Sequence, residues 1–205
     1  LVCSGGDGTL DEVATGMMQC GERIPIGYVP AGSTNDFASS LHIPKNMKAA
    51  ADAVVSGRIF PCDIGAFNQD TFVYIAAFGL FTDVSYETRQ DMKNALGHMA
   101  YIAEGMKRLS AIKDYPIKVT HGGMTIEGNF IFGMVTNSIS VGGFKGITGK
   151  NVALDDGLFE VTLIRKPENP MELNRISWTL DGEYGGSHTR VEIENKHLAL
   201  QICVP

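Results

Sequence analysis

Apolar and polar positions change their period near residue 58. Before it, Leu10, Val13, Ala14, Met17 and Met18 recur at i, i+3, i+4, i+7 and i+8, which lays one apolar stripe along a helix. Asp11 and Glu12 fall in its first turn, where the helix dipole favours acids, and Gly21 ends it. Leu1–Cys3 and Pro25–Val29 read as short buried strands, and Asn46–Ser56 carries Met47, Ala50, Ala51 and Val54 as another helix. Strand, glycine loop and helix in repeating order predict a parallel α/β domain over residues 1–57. From residue 58 the runs become strand-like: 59–67, 71–78, 115–121, 124–136, 158–164, 191–193 and 198–204. Gly122-Gly123 is a hairpin turn between two of them. A helical insert over 83–112 interrupts the run. The second domain, 58–205, is therefore expected to be an antiparallel β-sandwich-like unit, packed closely enough on the first to leave a cleft.

Two places resist this pattern. Leu1–Cys3 runs straight into a glycine loop, so we expect upstream sequence, including the first part of the α/β domain. Met171–Arg175 begins a helix that the strand-like Ile176–Leu180 cuts short, and a segment is expected to be absent there too.

Composition narrows the partners. The 205 residues carry 17 Lys+Arg against 23 Asp+Glu, a formal charge of -6, which argues against a nucleic-acid binder. Apolar residues at 44% and charged residues at 20% describe a folded chain, and no apolar run approaches the roughly 20 residues of a membrane span. Cys3, Cys20, Cys62 and Cys203 stand singly, so neither a disulfide framework nor a zinc site is expected, and a reducing cytosol is the default.

Four short motifs could carry chemistry. In Ser4-Gly5-Gly6-Asp7-Gly8-Thr9, glycines let consecutive N–H groups converge on an anion at a helix start, and Thr9 adds a hydroxyl. Asp7 suits a cation or a ribose hydroxyl there, although a tight turn with an Asp cap is the plainer reading. Pro30-Ala31-Gly32-Ser33-Thr34-Asn35-Asp36 repeats the plan. Parallel strands put both loops on one sheet edge, though an ordinary helix cap also explains the second loop alone. Asp155-Asp156-Gly157 supplies hard oxygens for Mg²⁺ or Ca²⁺, or is a plain turn. Asp181, in Leu180-Asp181-Gly182-Glu183, is placed either as a general base or as another turn residue.

In this order the four motifs resemble the diacylglycerol kinase catalytic domain family, in particular its bacterial soluble lipid kinases, and are similar to sphingosine kinases. The likeness runs from Val2 to about Ile202. It implies an enzyme that uses ATP to phosphorylate the hydroxyl of diacylglycerol, giving phosphatidic acid, or of a related lipid alcohol. Ser4, Gly5, Gly6, Asp7, Gly8, Thr9, Leu10 and Ser33, with Asn35 and Asp36, would then bind ATP, and Asp181 would accept the proton. Asp156 and the carbonyls of Ala153 and Leu158 would hold Mg²⁺, with Asp63 reaching it through water. The resemblance further implies a cytoplasmic protein peripheral to the membrane, and is compatible with a homodimer. Ser33 stands where the family usually has Thr, which keeps the hydroxyl. The helical insert, with Met92, Leu96, Met99, Met106 and Leu109 rimmed by Arg89, Lys93, Lys107, Arg108 and Lys113, is either a membrane-facing helix or a core helix. Its acids, Glu87, Asp91, Glu104 and Asp114, tilt the balance to the core helix. Two rivals stay open. An NAD kinase shares GGDGT, but Asn35-Asp36 and the late Asp-Gly-Glu favour the lipid kinase; a nucleotide-binding module without catalysis is the other.

Overall fold

In the computed structural model the described residues are 1–21, 23–79, 113–145, 147–149, 151–165, 176–181, 183–188 and 190–205. The helix expected over 83–112 and the short one over 171–175 lie outside them. Among the described residues the protein is mostly β-sheet with three helices, and no helix is long and apolar enough to cross a membrane.

The first sheet is assembled from both ends of the chain. β1 (Val2–Gly5) leads into α1 (Asp7–Gln19), and β2 (Ile26–Pro30) pairs parallel with β1 from Val2↔Gly27 to Gly5↔Pro30. α2 (Asp36–Ser40) and α3 (Met47–Ser56) follow, then β3 (Arg58–Phe67) and β4 (Asp70–Phe72). The last strand, β13 (Ile193–Val204), slots between β2 and β3: parallel to β2 at Ile202↔Ile26, antiparallel to β3 from Ile193↔Phe67 to Val204↔Arg58. The order is β1-β2-β13-β3-β4, so this sheet draws strands from both sides of residue 57. β2 is buried at every position, and Leu200, Ile202 and Val204 alternate into the same core, as a doubly covered central pair requires. α3 lies close on β2 because Gly27 has no side chain; a Cβ there would strike Val54.

The second sheet is antiparallel throughout. Its order is β10 (Glu160–Arg165), β7 (Met124–Thr136), β5 (Ile75–Gly79), β11 (Ile176–Leu180) and β12 (Glu183–His188), with β6 (Tyr115–His121) on the first half of β7. Gly122 and Gly123 turn β6 into β7 with φ of 54° and 78°, the paired left-handed conformation of a tight hairpin that glycine adopts without strain. A small hairpin, β8 (Ser140–Val141) with β9 (Phe144–Lys145), stands apart. A satellite core of Phe67, Phe72, Ala76, Phe78, Tyr115, Phe130 and Leu180 joins residues of the two sheets, with Phe78 and Tyr115 edge to face at 5.8 Å.

Three strand boundaries differ from the sequence reading. The single strand expected over 71–78 is β4 and β5, broken because the N–H groups of Val73, Tyr74 and Ile75 turn to the Asp181 carboxylate. The strands expected at 191–193 and 198–204 are one, bulged between Lys196 and Leu200, where His197 and the Leu198 N–H swing onto Asp63. The strand expected from 158 begins at Glu160, since the Leu158 N–H closes a turn on Asp156 Oδ1 at 2.9 Å.

Candidate functional site

The parallel pairing of β1 and β2 delivers both glycine loops to one edge, and there they touch. The Ala31 N–H donates to the Gly5 carbonyl at 2.7 Å, and a Cβ on Gly32 would lie 2.5 Å from Gly6 Cα. Glycine is required at 32 for this approach, whereas a Cβ on Gly6 would meet Gly32 Cα at 3.4 Å. The loop acids are then used between the loops. The Asp7 carboxylate accepts the first N–H groups of α2, from Asp36 at 3.0 Å and Phe37 at 3.2 Å. It caps the second helix from the first loop. Burial pushes its pKa up to about 6, against the pull of those N–H bonds. Asn35, left-handed at φ 55°, folds back on its own loop and exchanges hydrogen bonds with Gly32. Asp36 is buried and accepts from Ser140 Oγ at 2.5 Å and Gly143 N–H at 3.0 Å, tying the second loop to the β8–β9 hairpin. Leu10 is a core residue, while Ser4, Thr9 and Ser33 are exposed around the paired loops. Gly8 lies in the first turn of α1.

Asp181 sits in the turn after β11 with φ 50° and is 4% exposed. Its Oδ2 accepts the Val73 N–H at 2.5 Å; its Oδ1 accepts those of Tyr74 at 2.9 Å and Ile75 at 2.8 Å. Three consecutive N–H groups form a small anion nest, filled here by the protein's own carboxylate. Asp11, on α1, bears on it through its charge. Burial, reinforced by the Asp11 charge, holds the Asp181 carboxyl well above the usual carboxylate range.

Asp63, on β3, is fully buried and crowded by donors. Oδ1 accepts from His197 Nδ1 at 2.8 Å and the Leu198 N–H at 2.7 Å; Oδ2 accepts from the Gly157 N–H at 2.6 Å and Asn195 Nδ2 at 3.3 Å. The Asp63 N–H donates to the Leu154 carbonyl at 2.8 Å, locking the Asp155-Asp156-Gly157 turn to β3. Asn137 Nδ2 bridges the carbonyls of Asp63 and Leu154. Among the described residues, the buried Oδ1 atoms of Asn137 and Asn195 have no hydrogen-bond partner. The Asn195 amide lies between Asp63 and Leu158, where Nδ2 reaches the Leu158 carbonyl at 3.4 Å. Uncommitted hard oxygens on two amides that bond the Leu154 and Leu158 carbonyls, either side of the exposed Asp156 in the chain, fit the donor chemistry of a small divalent cation. No three acidic, His or Cys side chains converge among the described residues, so such an ion would depend on carbonyls as well as on Asp156.

Sequence reasoning passed over Asp11, Asn137, Asn195 and His197. Asp11 carried one signal: it stands one helical turn from Thr15, whose Oγ1 is 2.6 Å from Thr71 Oγ1, on the segment that reaches Asp181. The other three act through a bulge and a loop that leave no mark in local sequence.

Comparison with known proteins places these features in a family context. Residues 1–67 match the family model described as diacylglycerol kinase catalytic domain. The chain is 33% identical over 185 residues to a diacylglycerol kinase of Bacillus subtilis (strain 168), covering 90% of this chain and 61% of that protein. It is 34% identical over 176 residues to a diacylglycerol kinase of Staphylococcus carnosus (strain TM300), covering 86% and 57%. The chain thus spans about six-tenths of the length of these curated relatives. In fold it is similar to a solved diacylglycerol kinase from Bacillus anthracis str. Sterne, with a TM-score of 0.79 at 24% identity, covering 100% of this chain and 77% of that one. A second solved chain from that organism gives 0.81 at 23% identity, covering 100% and 76%.

Proposed function

We propose that this chain, a homologue of diacylglycerol kinases, is the core of a kinase that moves the γ-phosphate of ATP to the hydroxyl of diacylglycerol, giving phosphatidic acid, or to a related lipid alcohol. The observation that carries the reading is the contact of two glycine loops on one sheet edge, through the Ala31–Gly5 hydrogen bond and the Gly6–Gly32 approach. Phosphoryl transfer asks a protein mainly for positioning and charge stabilisation, and two glycine loops converging on one sheet edge offer a place for both. Ser4, Thr9 and Ser33, exposed around them, add hydroxyl donors; the backbone of residues 5–8 and 10 does the rest. Asp7 joins the two loops, Asn35 shapes the second and Asp36 ties it to the β8–β9 hairpin, and all three serve the nucleotide through that geometry.

Asp181 is the centre of the proton-accepting site. A carboxylate acts as a better base when its pKa rises towards the working pH, and burial beside Asp11 moves it that way. Asp156 with the carbonyls of Ala153 and Leu158, and Asp63 through water, would hold magnesium, which when bound draws charge from the phosphate being transferred. Residues 1–57 serve the nucleotide and the β-rich remainder the lipid and the metal. We place the protein in the cytoplasm at the membrane surface, with a homodimer as its compatible assembly. The NAD kinase and non-catalytic readings have no observation in their favour.

The test is ATP labelled in the γ-phosphate, offered with mixed micelles of diacylglycerol, a sphingoid base or phosphatidylglycerol, and separately with NAD⁺, using the full-length protein. Label should enter phosphatidic acid or another lipid phosphate, and Asp181→Asn should reduce the rate by about 10²–10⁴-fold. Label entering NADP⁺ alone, or an unaltered Asp181→Asn enzyme, overturns the reading.

A further inference from the structure

α2 is too short to hold its own place. Its five residues, Asp36–Ser40, make little more than one turn, and a single turn fixes several residues for few hydrogen bonds. Its N-cap, Asn35, is left-handed and gives no side-chain cap, so Asp7 supplies one from the first loop. Much of its remaining support comes from one distant segment, residues 138–143. At the first residue of the helix, Asp36 Oδ1 accepts from Ser140 Oγ at 2.5 Å and from the Gly143 N–H at 3.0 Å, and the same N–H is 3.3 Å from Oδ2. At the last residue, Ser40 Oγ lies 2.8 Å from Ser138 Oγ and accepts the Ile139 N–H at 3.1 Å. Ser138 is fixed in turn by Ser140, whose N–H donates to it at 3.2 Å and whose carbonyl it reaches at 2.6 Å. Asp36, Ser40, Ser138 and Ser140 are all buried, so bulk water does not replace a lost partner.

We propose that residues 138–143 are a splint for the second glycine loop, with Ser140 as a positioning residue that acts on the nucleotide through Asp36. The segment bonds both ends of a helix that cannot stand alone, and so sets where the loop before that helix must lie. Asn35, next to Asp36, exchanges hydrogen bonds with Gly32, the glycine that faces Gly6 of the first loop. A displaced Asp36 therefore shifts the contact between the two loops. Such a link is reciprocal: a nucleotide that tightens the loop also holds the splint in place. The effect on nucleotide binding rests on the kinase reading above, whereas the splint itself does not.

The experiment measures KM for ATP and for diacylglycerol micelles with the full-length wild type, Ser140→Ala and Ser140→Thr. Amide hydrogen exchange is followed on the same proteins with and without ATP. Ser140→Ala should raise KM for ATP by about 5–20-fold and leave KM for the lipid within about twofold. Ser140→Thr keeps the hydroxyl and should bring KM for ATP back to within about threefold of the wild type. Without ATP, the amides of residues 36–40 should exchange about tenfold faster in Ser140→Ala. In the wild type, ATP should slow exchange at Ile139, Ser140 and Gly143. An unchanged KM for ATP in Ser140→Ala, equal rises for ATP and lipid, or a Thr variant no better than Ala overturns the positioning role. Exchange at 36–40 that ignores the substitution overturns the splint. If the wild type neither binds nor uses ATP, the kinase reading fails, and the exchange comparison still decides whether the splint exists. Should Ser140→Ala not fold, the wild-type exchange decides, and no added protection at residues 138–143 with ATP overturns the proposal.

Discussion

Asp63 and Asp181 are both almost fully buried, and both gather backbone N–H groups from a segment that has left its strand ladder. They differ in the last partner. Asp63 finishes its set with the His197 ring and the Asn195 amide, which donate to it. Asp181 takes three backbone N–H groups, and the nearby charge is that of Asp11, another acid. A buried carboxylate closed by donors is an anchor, because each neighbour favours its charge. One under the influence of a second acid is held charged by its N–H groups and discouraged from charge by that neighbour, the balance that proton transfer needs.

The same substitution at the two sites should part them most widely. Asp63→Asn removes the partner of His197 and turns amide hydrogens on the Gly157 N–H, a loss of roughly 2–4 kcal/mol in urea unfolding at neutral pH. Asp181→Asn also disturbs N–H bonds, but it relieves the repulsion with Asp11, so its net cost should stay within about 1 kcal/mol. Equal costs at the two positions would break the comparison.

The pH dependence sharpens it further. Asp7 rises from an ordinary 3.8 to about 6, so the folded state holds that proton more tightly than the unfolded chain. Its contribution is therefore fully present below the ordinary value and lost as pH rises from about 4 to about 6, at most roughly 3 kcal/mol. Asp181 has the same sign. Urea midpoints of the wild type minus those of Asp7→Asn, taken from pH 4 to 7, should fall with pH and level off above 6. A flat difference would show that the buried loop acid is not titrating there. The smallest effect should come from Thr15→Val, which removes the Thr71 hydrogen bond and costs about 0.5–1.5 kcal/mol in a thermal melt. A much larger loss would mean that α1 is the principal support of the 71–75 segment.

Local signals were enough for α1, whose apolar stripe buries Leu10, Ala14 and Met17, and for the β6–β7 hairpin, which the Gly122-Gly123 pair announces. The glycines of the two loops were legible for the same reason: a residue without Cβ at the end of a strand is informative by itself. What stayed hidden was contact between distant segments. Nothing near Val73 says that its N–H will face Asp181 instead of a neighbouring strand, and nothing near Asn195 foretells a bulge that brings His197 to Asp63. Acids that looked free to hold ligands, Asp7 and Asp36, have protein partners that only the folded chain reveals.

The position of β13 also sets a timetable. A growing chain emerges with β2 and β3 already made, yet the strand that lies between them comes from the far end of the sequence. Until it arrives, two apolar strands stand with unpaired edges, and α1 and α3 cover a sheet that lacks its middle. The glycine loops therefore gain a rigid floor only once translation has passed the whole β-rich region. During that interval the nascent chain depends on protection from self-association, and a ribosome stalled before residue 193 would present a half-built sheet, ready to pair with strands of other chains.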